Sequence, residues 1–346
     1  MRGWIYTGVF CFLIGMGAFY PETGMSRLSD EVSVADVVER LSGESNNFRP
    51  DMSIPGVSAA TGRDLIFNGV ADSSPSLLPP RRISKFFTCN ACHNSTREDP
   101  DLSDINPDDR LQYAIENNLP YLPGSTFWGI VNRIEFYNDD YFKKYGQLVF
   151  ATRENLREAV QLCATECSQG RLLEDWELES ILAYFWELEL TLEDIRLSPE
   201  ETRLLDRALN QPQGQNVKNE ALTMLQSKYP LRYSATFLPP PSTKNERMYV
   251  TGDPLKGEQL YKLSCQHCHY NQNFSYFLLD NTKMTFKYLY KHIPDYDKKS
   301  LYQAIRYGTP PMSGKHAYMP QYTKEKMSPG QINDLVTYIK REAGKF

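Results

Sequence analysis

The sequence lacks an excess of positive charge, and this absence excludes nucleic-acid binders that rely on a basic surface. Its 346 residues carry 38 Lys and Arg against 43 Asp and Glu, so the formal net charge is −5. Glycine and proline are near their average frequencies, which excludes a fibrous or largely disordered chain. With 41% hydrophobic residues, the chain is long enough for two domains that each bury a core.

Alternation of apolar and polar residues, the pattern of β-strands, does not stand out anywhere in the chain. We therefore expect a mostly α-helical protein of two helical domains joined by a proline-punctuated linker. The pattern divides the chain into an N-terminal apolar segment (1–20), a linker (21–61), a first domain (62–190), a bridge (191–252) and a second domain (253–346).

The two predicted domains repeat one plan, which indicates a duplicated unit. Each begins with a glycine in a short amphipathic segment, at Gly62 and Gly257, and each closes with an apolar helix. The second closing helix starts with a capping box at Ser328, followed by proline. Its apolar stripe recurs in the first domain at a constant offset of 154 residues (332 minus 178). The matching pairs are Leu178 and Ile332, Ile181 and Leu335, Leu182 and Val336, Tyr184 and Tyr338, and Phe185 and Ile339.

Cysteine is scarce, yet four of the seven cysteines fall in two copies of Cys-x-x-Cys-His. Two thiols at this spacing reach both vinyl groups of one porphyrin, and the next residue places an imidazole under the iron. Zinc knuckles or disulfides are the alternatives, but zinc needs further ligands and the first domain has no second histidine. We predict two covalent haem c groups on Cys89, Cys92, Cys265 and Cys268, with His93 and His269 as iron ligands.

The second domain resembles class I cytochrome c along nearly its whole length. The residues that carry this resemblance are Gly257, Cys265 to His269, Ile305 to Gly308, Met319-Pro320 and the helix around Tyr338. In that family the methionine of a Met-Pro pair before the last helix is the sixth iron ligand, and Met319 matches it. Met312 and His316 are the competing ligands, and His316 would give a bis-histidine haem.

The first domain lacks both methionine and histidine between His93 and Leu190, so the ordinary sixth ligand is missing. The offset of 154 places the equivalent of Met319 at position 165, between Cys163 and Cys167. Three interpretations stay open. One cysteine is an axial thiolate; the pair forms a disulfide in an oxidising compartment; or both are small buried apolar residues.

The segment from Asn155 to Cys163, with Gly170-Arg171 and the Tyr184 helix, looks like the first haem domain of thiosulfate dehydrogenases and related sulfur-oxidising cytochromes. In that family a similar run ends in the cysteine that ligates the active-site haem. The resemblance therefore implies Cys163 as the axial ligand of haem 1. An arginine usual in that run is Ala159 here, and Cys167 has no counterpart.

The apolar segment from Trp4 to Tyr20, preceded by Arg2, is typical of a secretory signal or an uncleaved N-terminal anchor. Both interpretations place the remaining chain outside the cytoplasm, in the periplasm or on the outer face of the membrane. We expect a di-haem cytochrome that passes electrons from haem 1 to haem 2. Other redox proteins would serve as its electron donor or acceptor. The alternative is a thiosulfate dehydrogenase-like oxidoreductase acting at haem 1 on a small sulfur oxyanion.

Overall fold

The computed structural model describes residues 29, 31–72, 79–211, 214–271, 273–295, 300–309 and 319–345. Within these ranges the chain forms helices and isolated β-bridges but no β-strand, which confirms the predicted fold class. The helices are α1 (Val34–Ser42), α2 (Ala59–Asn68), α3 (Pro107–Glu116), α4 (Phe142–Tyr145), α5 (Val149–Thr152), α6 (Leu156–Leu162), α7 (Asp175–Trp186), α8 (Pro199–Asn210), α9 (Gln215–Gln226), α10 (Lys244–Met248), α11 (Pro254–Leu260), α12 (Gln266–His269), α13 (Lys283–His292), α14 (Leu301–Tyr307) and α15 (Pro329–Glu342).

The N-terminal apolar segment and Cys11 lie outside the described residues, as do Met312 and His316. None of the helices in the described ranges is both long enough and apolar enough to cross a membrane.

The first core forms where α2 crosses α7. Leu65 and Ile66 of α2 are fully buried against Ile181, Leu182 and Phe185 of α7. The two helices approach closely because α2 presents Gly62, which has no side chain, to the backbone of α7. The apolar stripe predicted for this closing helix is buried as expected.

The second core repeats this crossing with α11 and α15. Helix α15 begins as predicted, because the Ser328 hydroxyl accepts the Gln331 amide at 3.1 Å and the Gln331 side chain accepts the Ser328 amide at 2.9 Å. Proline at the first helical position supports the same start. The buried stripe of α15 packs on Leu260 and Tyr261 at the end of α11.

A third core joins α1 to the bridge between the domains. Val34, Val37 and Leu41 of α1 pack with Leu205 of α8 and Leu225 of α9. Helix α1 and the bridge therefore bury their apolar faces against one another.

Part of the range assigned to the first domain packs into the second core. Leu111 and Ala114 of α3 belong to that core, as does Tyr121, which is fully buried. The Tyr121 amide donates to the Leu263 carbonyl at 3.0 Å, directly before the second haem motif. The two halves of the chain are thus joined through shared packing as well as through the bridge.

A buried charge network crosses the same junction. Glu98 accepts from Arg110 at 3.2 Å and from Lys326 at 3.1 Å, and all three side chains are at most 6% exposed. Burial by itself would raise the pKa of Glu98, but Arg110 and Lys326 outweigh it and lower the pKa to about 2. Glu98 and Arg110 come from the first half of the chain and Lys326 from the second.

Candidate haem sites

The first Cys-x-x-Cys-His motif begins with a 3₁₀ turn over Cys89–Ala91. After this turn, Nδ1 of His93 lies 2.6 Å from the Ser125 carbonyl oxygen. Because a carbonyl oxygen can only accept, Nδ1 carries the proton and Nε2 keeps its lone pair for a metal. The His93 ring also stacks on Phe127, with ring centroids 4.6 Å apart. This arrangement fits a proximal haem ligand.

The second motif is built in the same way from different elements. A π-helical turn over Tyr261–Cys265 continues α11 and leads into α12, which ends at His269. Nδ1 of His269 lies 2.7 Å from the Phe277 carbonyl oxygen, so its Nε2 is likewise free for iron. Burial lowers the pKa of both His93 and His269 and favours the neutral imidazole that binds metals.

A cavity that is partly open to solvent lies beside the first motif. Cys89, Cys92 and His93 lie in its wall, so both thiols and the imidazole face one space. Gly124 packs against the imidazole, and a Cβ atom at Gly124 would lie 2.5 Å from the ring. The motif and the space beside it therefore fit a covalently attached porphyrin. The remaining wall is largely apolar and includes Leu65, Ile83, Leu156, Leu173, Ile181 and Phe185.

Arg133 is a buried cation in the wall of this cavity. It is 5% exposed, and its guanidinium donates to the Thr126 and Trp128 carbonyls and lies 4.4 Å from the centre of the Tyr233 ring. Within the described ranges no carboxylate lies at ion-pair distance from Arg133, and burial lowers its pKa. A buried cation calls for an anion. The propionates of a haem in the cavity would supply that anion.

Cys163 and Cys167 lie in the same cavity wall. They occupy a π-helical turn that continues α6. The six cysteines in the described ranges form no disulfide, and Cys163 and Cys167 are near enough to each other to influence each other's pKa. The sequence placed this pair at the distal position of the first haem, and the structure brings both thiols into the cavity that holds His93.

Tyrosine hydroxyls surround the Cys167 thiol. The Tyr145 hydroxyl lies 3.2 Å from the Cys167 sulfur, and that of Tyr137 lies 4.0 Å away. The neighbouring Cys163, the Tyr145 hydroxyl and the nearby Lys144 lower the pKa of Cys167. The neighbouring Cys167 and burial raise the pKa of Cys163 well above its usual value.

Sequence reasoning missed the tyrosines of this site. Tyr137, Tyr141 and Tyr145 recur every four residues and all line the cavity, and this spacing was the available signal. Arg133 had no such signal, because its partners are backbone carbonyls and a ring of Tyr233, 100 residues further along the chain.

Met319 lies at the start of the last described segment before α15. Its carbonyl accepts the Thr309 amide at 3.1 Å, and its amide donates to the Thr309 hydroxyl at 3.0 Å. Gly308, at φ +69°, lies against the Met319 carbonyl where a Cβ atom would be 2.0 Å from the oxygen. These contacts fix the backbone at Met319. The next residues, Pro320 and Gln321, line the cavity of the first motif.

The two haem motifs lie next to each other. His267, inside the second motif, lies near the Ala91 carbonyl of the first motif. Burial lowers the pKa of His267, and the Ala91 carbonyl opposes this effect in part. Cys268 is close enough to Cys92 to raise its pKa, in addition to the larger effect of burial. The Ser264 hydroxyl also donates to the Tyr121 carbonyl at 3.0 Å. The residues that would carry the two haems thus lie close together.

The comparison with known families agrees with the second motif. Residues 252–339 match the family model described as Cytochrome C oxidase, cbb3-type, subunit III. No curated protein and no solved structure matches the chain significantly. The matched range includes α11, the second Cys-x-x-Cys-His motif and most of α15. The second domain is therefore similar to cytochrome c domains, which supports a c-type cytochrome with covalently bound haem c and a role in electron transfer.

Proposed function

We propose that the protein is an exported di-haem c-type cytochrome in which electrons pass from haem 1 to haem 2. Haem 1 is held by Cys89 and Cys92, with His93 on the iron. Haem 2 is held by Cys265, Cys268 and His269. Bound in this way, each haem supplies a one-electron iron centre.

One observation carries this proposal: both motif histidines have Nδ1 bound to a backbone carbonyl, in two motifs that lie close together. A carbonyl partner fixes the tautomer and orientation that a proximal ligand needs. The short separation of Cys92 and Cys268 supports electron transfer within the molecule.

The direction of flow follows from the proposed sixth ligands, which are Cys163 for haem 1 and Met319 for haem 2. A thiolate is anionic and stabilises ferric iron, so it lowers the reduction potential. A neutral thioether favours ferrous iron and raises the potential. Electrons would enter at haem 1 and leave from haem 2 to a redox protein. Cys167 is the competing ligand for haem 1, because it lies in the same cavity wall.

The second candidate function is a sulfur-compound dehydrogenase with its active site at haem 1. The observation that favours it is the cavity wall, which brings two thiols, three tyrosine hydroxyls and Arg133 together. A small sulfur oxyanion would require a cation in this cavity. Arg133 could be that cation if the haem propionates do not pair with its guanidinium.

Haem content tests the main proposal. After acid–acetone extraction, the intact mass of the purified full-length protein should retain two haem groups. Each of the variants Cys92→Ala and Cys268→Ala removes one thioether bond. Haem 1 should therefore be attached more weakly in Cys92→Ala, and haem 2 in Cys268→Ala. Loss of all haem from the wild type on extraction would contradict covalent attachment. Turnover of thiosulfate with an artificial acceptor, lost in Arg133→Gln, would favour the second candidate.

A further inference from the structure

Cys163 and Cys167 are the only cysteines outside the haem motifs within the described ranges. Both line the cavity beside Cys92 and His93. The proposed function uses one of them, at most, as an iron ligand. The second thiol has no role in that scheme, and the family that the segment resembles has no counterpart for Cys167.

Cys167 lies in a polar environment that a merely space-filling cysteine does not need. Its sulfur is 3.2 Å from the Tyr145 hydroxyl and 4.0 Å from the Tyr137 hydroxyl. A free cysteine that only fills space behaves as a small apolar residue and needs no such partners. Hydroxyl groups around the sulfur fit a thiol that takes part in chemistry.

The two thiols lie on the same helical turn. Residues four apart on a helical turn are neighbours on one face, with Cβ atoms roughly 5–6 Å apart. A disulfide needs Cβ atoms roughly 3.5–4.5 Å apart, so this turn has to tighten when the bond forms. The Ser168 amide, which donates to the Cys163 carbonyl at 2.8 Å, closes the turn before that change.

We propose that Cys163 and Cys167 are a redox-active dithiol, a third redox centre that exchanges two electrons with the pair of haems. This inference rests on the proposed function, which supplies the two haems. In the oxidising direction one S–S bond forms, the two sulfurs together give up two electrons, and each proton still held by either thiol goes to water. The two electrons would be taken up by the two ferric haems, one each. The structure describes the dithiol state.

The state of the pair also decides the coordination of haem 1. In the dithiol state, Cys163 is available to the iron as a thiolate. In the disulfide state neither sulfur can be a thiolate, so haem 1 loses that ligand and becomes open to small molecules. Oxidation of the thiols would thus convert haem 1 from a closed carrier into an accessible site.

Thiol mapping and electron counting on the full-length holoprotein test this inference. Samples are poised anaerobically with ferricyanide or dithionite, alkylated with iodoacetamide under denaturing conditions and digested with trypsin. The tryptic peptide spanning 158–171 contains both thiols. It should carry a disulfide in the oxidised sample and two alkyl groups in the reduced one. In coulometry, the wild-type protein should take up two electrons more than the haem absorbance accounts for. The variants Cys167→Ser and Cys163→Ser should take up neither of these two extra electrons.

The Tyr145→Phe variant serves as the matched control, because it removes one hydrogen bond to Cys167 and keeps both thiols. It should retain the two extra electrons and shift only the potential at which they are taken up. A peptide that is doubly alkylated at every potential, with wild type and Cys167→Ser taking up equal charge, overturns the dithiol. Haem mass and absorbance are recorded on the same samples, so a missing haem overturns the proposed function independently of the thiol count.

Discussion

Gly257 lies so close to the backbone of Asp334 that a Cβ atom on this glycine would stand 2.1 Å from the Asp334 carbonyl oxygen. The first domain has the same relationship, in which a Cβ atom at Gly62 would stand 1.9 Å from the Ser180 oxygen. Ser180 and Asp334 are themselves related by the offset of 154 residues. Each domain is therefore built on a helix crossing that only glycine permits.

We predict that Gly62→Ala and Gly257→Ala each lower the free energy of unfolding by roughly 1–3 kcal/mol, because the added methyl forces the crossing helices apart. Gly330→Ala in α15 is the control, since a Cβ atom there meets only the Ser328 hydroxyl at 3.6 Å. Alanine at that site should be neutral or slightly stabilising, by up to about 1 kcal/mol. Urea unfolding followed by circular dichroism measures the three variants. Equal stability of Gly257→Ala and Gly330→Ala would contradict the close-crossing argument.

We predict that Met319→Ala abolishes the weak charge-transfer band at the red end of the ferric spectrum. It should also lower the potential of haem 2 by on the order of 0.1 V, because the thioether that favours ferrous iron is lost. Optical redox titration measures both effects. Met312→Ala is the comparison, and the ligand assignment is wrong if that variant produces the change instead.

We predict that Cys163→Ala raises the reduction potential of the low-potential haem by on the order of 0.1 V in an optical redox titration. The reason is that an anionic ligand of ferric haem 1 is removed. Cys167→Ala should leave that potential nearly unchanged, and the opposite result would assign the thiolate to Cys167. A permanent structural disulfide predicts instead that both variants behave alike and that each exposes one free thiol. A single wave of equal potentials in the wild type would remove the argument for directed flow.

We predict that Glu98 makes an acid-sensitive contribution to the free energy of unfolding, because its pKa is lowered to about 2 from the usual 4.5. Because the folded-state pKa is depressed, this stabilisation is fully present above about pH 4.5 and is lost as the pH falls towards 2. The shift corresponds to roughly 3 kcal/mol. Urea unfolding between pH 2 and 7 measures this window.

The matched pair for this test is Glu98→Gln and Glu200→Gln. The first leaves Arg110 and Lys326 buried without their carboxylate and should cost roughly 3–5 kcal/mol at pH 7. The second removes an exposed carboxylate, 75% accessible, from its pair with Arg203 and should cost less than about 1 kcal/mol. If Glu98→Gln has no larger effect than Glu200→Gln, the buried network does not hold the two halves together.

The sequence by itself determined the helical class, the duplicated plan and the start of α15. These features depend on local periodicity, caps and glycines, which act over a few residues and are therefore legible along the chain. The two Cys-x-x-Cys-His motifs are local in the same sense. The position of Cys163 and Cys167 opposite His93 followed from the repeat, and the structure places both thiols in the cavity of the first motif.

Only the tertiary structure decided how the parts meet. Tyr121 belongs to the second core although it lies in the range assigned to the first domain, and Glu98 is neutralised by Arg110 and Lys326 from opposite halves of the chain. The hydroxyls around Cys167 and the carbonyl partners of Arg133 are equally invisible to periodicity. A buried polar or charged group is costly unless it is hydrogen-bonded or paired. Its partners are therefore set by which residues the fold brings together, and these residues can be far apart in sequence.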